Sequence, residues 1–191
     1  MPDLLHITME QSVFSFFFFA FSGWVGETIM ESLVRGRLVN KGVFTGPWVP
    51  VHGLGAFVVY GLLSPFKAYP PAVFAVGAAL CTLVEYLAAL FLENVFHVRG
   101  WDYDEYPFTQ SCNYKRRVAL TTSLFFGLVA AGVVYFYWDV SLWITSVIGQ
   151  ALLIKIDAVL AFVFTLDVAF TARKYIRNYR AGIPNKTVGL E

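Results

Sequence analysis

Residues 40–55 read NKGVFTGPWVPVHGLG, and the fold turns on what this stretch can be. It separates two apolar segments. Pro47 and Pro50 lack the N–H that an interior helical turn needs, and each pushes its preceding residue out of the helical region. Gly42, Gly46, Gly53 and Gly55 permit non-helical backbone and close approach by other groups. One regular helix from here through His52 is therefore not expected. Two structures suit such a segment. One is a rigid turn between membrane helices. The other is a tight, partly re-entrant mouth whose backbone groups are satisfied inside the protein, as non-helical backbone at membrane depth must be.

Working outward, the composition is that of a membrane protein. Of 191 residues 58% are hydrophobic and 14% charged, where soluble domains carry roughly 25% charged residues. Apolar segments lie at residues 12–33, 49–63, 72–96, 118–137 and 142–172, and a crossing needs about 20 residues. The expected fold is all-α: a polytopic membrane helix bundle of about five transmembrane helices in a single domain. A brief turn is expected at residues 139–141 and a basic tail at 173–191. The second segment barely crosses a bilayer alone, so its start must be extended or buried in protein. The first carries no preceding Lys or Arg and no small-residue cleavage site, and is expected to be retained.

Net charge is +1, which leaves no global field to attract nucleic acid. Cys81 and Cys112 stand far apart with no CxxC or Cys/His cluster, so neither a disulfide nor a metal site is expected, and no cofactor. No GxxxxGK[ST], HExxH, GxSxG or GxGxxG occurs. ATP hydrolysis through a P-loop by this chain is thus not expected.

Orientation follows from the basic residues. Arg35, Arg37 and Lys41, then Arg99, Lys115, Arg116 and Arg117, then Arg173, Lys174, Arg177, Arg180 and Lys186 make 12 of the 14. All fall after the odd-numbered segments, which places the N-terminus outside and the C-terminus in the cytoplasm.

Charges inside apolar segments cost several kcal/mol, so each needs a reason. At 1.5 Å per residue, Glu27 lies about 6 Å and Glu31 about 12 Å to the cytoplasmic side of the first span's middle, and the two share a helix face. Glu85 and Asp157 fall near mid-span, Glu93 and Asp167 near the cytoplasmic interface, and the outer half reads as almost purely apolar. Lys155 and Asp157 are about 200° apart on a helix, so Lys155 needs a carboxylate from another helix, Glu85 or Glu27. Buried ion pairs that fix packing and a polar pathway both fit this pattern. His52 opens the second span as a general base, a ligand or a hydrogen-bonded turn residue. Trp101, Asp102 and Tyr103 suit an interfacial anchor, with Asp102 available to pair with Arg117.

FSGWVGE at residues 21–27, the 40–55 stretch, LVEY at 83–86, HVRGWDY at 97–103 and RVAL followed by SLFFG together resemble the ABC-transporter type IV permease family of CmpB-like bacterial membrane proteins. The resemblance covers residues 12–130 and, more loosely, continues to Asp167. It implies Glu27, Asn40, Gly42, Gly46, Pro47, Pro50, His52, Gly53, Glu85, Trp101, Asp102, Tyr103 and Arg117 as family positions. Where the family commonly has Tyr this chain has His52, and where it commonly has Asn–Gly this chain has Lys115–Arg116. The expected function is a permease-like protein of the bacterial inner membrane with a cytoplasm-facing polar cavity. Its expected partners are membrane lipid, a separate ATPase subunit and other copies of itself. The alternatives are a membrane-embedded enzyme acting on a lipid or isoprenoid, with catalytic residues not named, and a non-catalytic membrane partner.

The charge bias predicts that, in a Cys81→Ser, Cys112→Ser background, an impermeant thiol reagent on intact cells labels Pro2→Cys and spares Val188→Cys. The reverse pattern refutes the orientation.

Overall fold

In the computed structural model, residues 7–106, 108–183 and 185 are described. Helix α1 spans Met9–Arg35. It opens with a reciprocal cap: Gln11 N–H donates to Thr8 Oγ1 at 3.2 Å, and Thr8 N–H to Gln11 Oε1 at 3.1 Å. It stops at Gly36, whose φ of 63° suits a left-handed C-cap. Helix α2, Pro50–Leu63, starts with proline at its first position, where no N–H is missed. A short 3-10 turn, Ser64–Phe66, extends it. Helix α3, Pro70–Phe91, continues through a π turn, Leu92–Phe96, and closes on His97 at φ 52°.

A two-stranded hairpin, β1 (Asn113–Tyr114) and β2 (Val118–Ala119), precedes α4, Leu120–Gly132. Arg117 N–H donates to the Tyr114 carbonyl, and Lys115 and Arg116 between them sit at φ 50° and 65°. A turn with two positive φ values is the setting that favours Asn–Gly, and here Lys115 and Arg116 occupy it.

The turn expected at 139–141 is not there. Helix α4 passes through a π turn, Val133–Tyr137, directly into α5, Trp138–Ile148. Trp138 holds this junction. It is fully buried, stacks on Tyr60 at 4.3 Å between centroids and lies 5.7 Å from Phe19. Asp139 is exposed and breaks nothing. The chain reverses instead at Gly149, φ 78°, and α6, Gln150–Arg180, follows.

Three helices are long and apolar enough to cross a membrane: Met9–Arg35, Pro70–Phe96 and Leu120–Ile148, with Pro50–Phe66 a shorter apolar helix. With α6 the bundle has five rods, and this is a multi-pass membrane protein. Helices α1, α2, α3 and α4 pack in sequence order, and α6 lies against α1 and α5. The core joins Phe19, Tyr60, Val73, Ala130, Val134 and Trp138.

Residues 37–49 contain no helix, as the glycines and prolines require. They do not form a simple turn either. Val39 N–H donates to Ser32 Oγ, Lys41 N–H to Thr28 Oγ1, and the Trp24 indole to Asn40 Oδ1 at 2.7 Å. Val49 N–H then reaches the Ala20 carbonyl at 3.0 Å. The chain thus climbs back along α1 from Ser32 to Ala20, about 18 Å by helical rise. Helix α2 therefore begins halfway along α1, which is why it is short. His52, expected at the end of the bundle, instead sits over Gly23, where a Cβ would come within 2.3 Å of its ring.

Small residues set the other close crossing. A Cβ on Gly77 of α3 would lie 2.5 Å from the Ala130 Cβ of α4, the close approach that glycine allows between membrane helices. Gly77→Val should cost about 1–3 kcal/mol by overpacking. A thermal-stability assay on the detergent-solubilised protein should show a clearly lowered midpoint. An unchanged midpoint contradicts this packing.

Candidate functional site

A cavity of about 500 Å³ lies between α1 and α4, floored by Trp101, Tyr103, Tyr106 and Phe108 and backed by α2 and α3. One end is polar. His52 Nε2 and Glu27 Oε1 are 2.6 Å apart. The Tyr103 hydroxyl donates to Glu85 Oε1 at 2.5 Å. Glu85 is 7% exposed, and its Oε2 is buried with no hydrogen-bond partner among the described residues. Glu31 accepts from the Tyr106 hydroxyl at 2.6 Å and Lys41 Nζ at 3.2 Å, and pairs with Arg35 one turn on. The Arg35 guanidinium also reaches Glu105 at 3.2 Å. The opposite end is apolar, with Phe18, Phe19, Val59, Val129 and Val133.

Several residues singled out from the sequence meet here. Glu27, Glu31, His52, Glu85, Trp101 and Tyr103 all line the cavity. Asn40, Pro47, Asp102 and Arg117 do not. Asn40 ties the returning segment to Trp24. Asp167 caps that segment on its other side, accepting from Thr45 N–H at 3.1 Å, Gly46 N–H at 2.8 Å and the Trp48 indole at 2.7 Å. It is a structural acceptor with four donors, counting Thr171, and not a solvated interfacial charge.

Lys155 is exposed, and no ion pair to Glu85 or Glu27 forms among the described residues. The expected cross-helix pair is absent because Lys155 lies on an exposed face of α6, while α6 packs on α1 and α5 and meets the π turn that follows α3. Since α6 begins at Gln150, Asp157 is about 10 Å from that end and not at mid-span. It is 7% exposed, with neither oxygen partnered among the described residues. The same end carries Ser15–Ser141 at 3.1 Å and Gln11–Thr145 at 3.3 Å, so the half expected to be apolar holds a buried polar strip.

Lys41 and Tyr106 were not singled out by sequence reasoning. The Glu31–Arg35 spacing of four was legible as an i,i+4 pair, but nothing local signals that a loop lysine and a loop tyrosine complete it.

The floor is built by ion pairs other than the expected Asp102–Arg117 one. Arg117 pairs with Glu93, and Arg99 lies 3.1 Å from that carboxylate. Asp102, 4% exposed, accepts from Arg116 at 2.5 and 2.9 Å, Arg99 at 3.2 Å and Asp104 N–H at 3.0 Å. Trp101 donates its indole N–H to the Arg117 carbonyl at 2.8 Å, and Tyr103 N–H bonds to the Arg116 carbonyl. Arg117 is displaced from Asp102 because the turn at Lys115–Arg116 aims Arg116 there. Burial alone would raise the Asp102 carboxyl, but the Asp104 N–H, Arg116 and Arg99 outweigh it and hold it below the usual carboxylate range.

A carboxylate depressed in the folded state contributes stability above its unfolded pKa, near 3.9, and loses it as pH falls through the lower folded value. Asp102→Asn should therefore cost about 2 kcal/mol at pH 7. The gap to wild type should close as pH drops below about 4. Parallel thermal melts at pH 7 and across the acid range check both halves, and a gap that widens in acid contradicts the assignment.

Among described residues no group of His, Cys, Asp and Glu side chains has the arrangement of a metal site. Neither the curated proteins nor the solved structures provide a match. The family model described as "Putative ABC-transporter type IV" matches residues 14–172, a range that takes in most of α1, all of α2 to α5, most of α6 and every cavity-lining side chain. On that match the chain belongs to the Putative ABC-transporter type IV family.

Proposed function

We propose that this chain is a permease-like component of a transporter in the bacterial inner membrane, with the cavity between α1 and α4 as its substrate site. The observation that carries this reading is Glu85, a cavity-lining carboxylate on a membrane helix, one oxygen of which is buried with no hydrogen-bond partner among the described residues. Such a group is costly in a bilayer and marks pathways and ligand sites. Membership of a transporter family supports the same reading.

The polar end of the cavity lies beside Arg35, Arg99, Arg116 and Arg117, on the side that the positive-inside rule assigns to the cytoplasm. On this reading the returning segment 37–49 enters the membrane from the cytoplasmic side, and the N-terminus is outside. A chain without a P-loop needs a separate ATPase for ATP-driven transport, and the inner loop 97–117 is the surface it would dock on. The Glu27–His52 pair, 2.6 Å apart and open to the cavity, favours one second reading: a membrane enzyme using His52 as general base on a lipid.

Gly26 lines the cavity, and a Cβ there meets nothing within 4 Å. Gly26→Phe should fill the cavity without disturbing the bundle. Native mass spectrometry of protein purified in mild detergent should show a retained small molecule in wild type, lost in Gly26→Phe. An unchanged ligand mass on prolonged incubation supports the permease, and a changed mass supports the enzyme. No ligand in wild type, or equal retention by Gly26→Phe, overturns the cavity reading.

A further inference from the structure

The cavity has two unlike ends, and their chemistry narrows what it can hold. Along α1 its lining runs from Phe18 to Val34, and along α4 and its π turn from Thr122 to Tyr137. By helical rise these are about 24 and 22 Å. The cavity, of about 500 Å³, is thus lined along a length that an extended chain could follow. Its volume is within the range of about 300–1,000 Å³ usual for small-molecule sites. Phe18, Phe19, Val59, Phe126, Val129 and Val133 make one end largely apolar, with the hydroxyls of Ser22 and Tyr137 also in the lining.

The polar end is not electrically balanced. Arg35 and Lys41 answer Glu31. His52 faces Glu27. Glu85 has a tyrosine hydroxyl on one oxygen, no partner on the other, and no cation among its described contacts. Lys41, the lysine lining the cavity, is already engaged by Glu31 and Tyr106. An anionic head would meet three carboxylates here, and neither Glu27 nor Glu85 has a lysine or arginine ion pair among the described residues. A protonated amine supplies both the positive charge and the donors that the accessible Glu27 carboxylate and the neighbouring Glu85 call for.

Access also points to an amphiphile. Met30, Val34, Phe108 and Phe125 line the cavity yet are 54%, 49%, 52% and 56% exposed. Met30 and Phe125 belong to α1 and α4, and Val34 and Phe108 to the end of the bundle where the loop folds over it. Exposed apolar side chains at such a place admit a molecule from the lipid phase rather than from water.

We infer that the cavity binds a single-chain amphiphile with a cationic amine head, its head at Glu85 and Glu27 and its chain running between α1 and α4 toward Val133. This inference rests on the cavity being the substrate site. The probes are hexadecylamine, hexadecanol and hexadecanoic acid, offered in equal amounts to the full-length protein in phosphatidylcholine nanodiscs and read by native mass spectrometry. Wild type should retain the amine at least tenfold over the alcohol and the acid. Glu85→Gln should bring amine and alcohol to parity, and Gly26→Phe should exclude all three. Equal retention of the three probes by wild type, or preference for the acid, overturns the inference. An amine preference that survives Gly26→Phe overturns it too, by placing the amine elsewhere. Should Glu85→Gln not fold, the wild-type comparison and Gly26→Phe decide alone. If the co-purifying molecule depends on Gly26 but the amine is not preferred, the head-group class fails while the cavity reading stands. If neither depends on Gly26, the cavity reading itself fails.

Discussion

The bond from the Tyr103 hydroxyl to Glu85 joins the two halves of the protein's organisation: a carboxylate carried inside a membrane helix, and a polar loop folded over the bundle's end. A buried carboxylate with no partner is costly, so α3 can carry Glu85 there only if something polar comes to it. The loop supplies that group, and its own construction follows from having to reach so far in. Asp102 gathers Arg99 and Arg116, Glu93 gathers Arg99 and Arg117, and the Trp101 indole ties to the Arg117 carbonyl. These bonds make a rigid floor. Tyr103 and Tyr106 project from it, one to Glu85 and the other to Glu31.

The segment before α2 is the second device. A non-helical chain running along a helix carries backbone N–H groups that need partners. This one meets the demand with side chains: Ser32 and Thr28 accept from it on α1, and Asp167 accepts from two of its N–H groups on α6. The segment thereby starts α2 beside the middle of α1, and this places His52 against Gly23 and next to Glu27. A full-length second helix would have carried position 52 to the end of the bundle, far from Glu27.

Much of this was legible in the residues, for reasons that mark the limit of such reading. The long apolar runs became α1 and α3, and the proline and glycine content argued against one helix through residues 40–55, which are non-helical to Val49 but helical from Pro50 on. The shared face of Glu27 and Glu31 follows from helical spacing, and both line the cavity. What failed depended on partners distant in sequence. Asp139 looked like a turn, but Trp138, packed on Tyr60 and Phe19, keeps the helix running. Lys155 and Glu85 matched in estimated depth, but depth carries no information on which helices are neighbours. Asp102 had three arginines within reach along the loop, and the hairpin turn, not spacing, assigned Arg116 to it. The returning segment's hydrogen bonds cannot be read from sequence at all, because each pairs a loop amide with a side chain chosen by the tertiary path.

The central claim is that α1 and α4 enclose a cavity, held open by the floor and the returning segment, with a carboxylate at one end that has no lysine or arginine ion pair among the described residues. The most direct measurement is an electron cryo-microscopy structure of the protein in lipid nanodiscs, at a resolution that defines side chains. The account predicts an elongated density between Phe18 and Phe125, with its polar end within hydrogen-bonding distance of Glu85 and the Tyr103–Glu85 bond intact. A structure in which α1 closes directly onto α4, with Glu85 satisfied by another side chain, would contradict it.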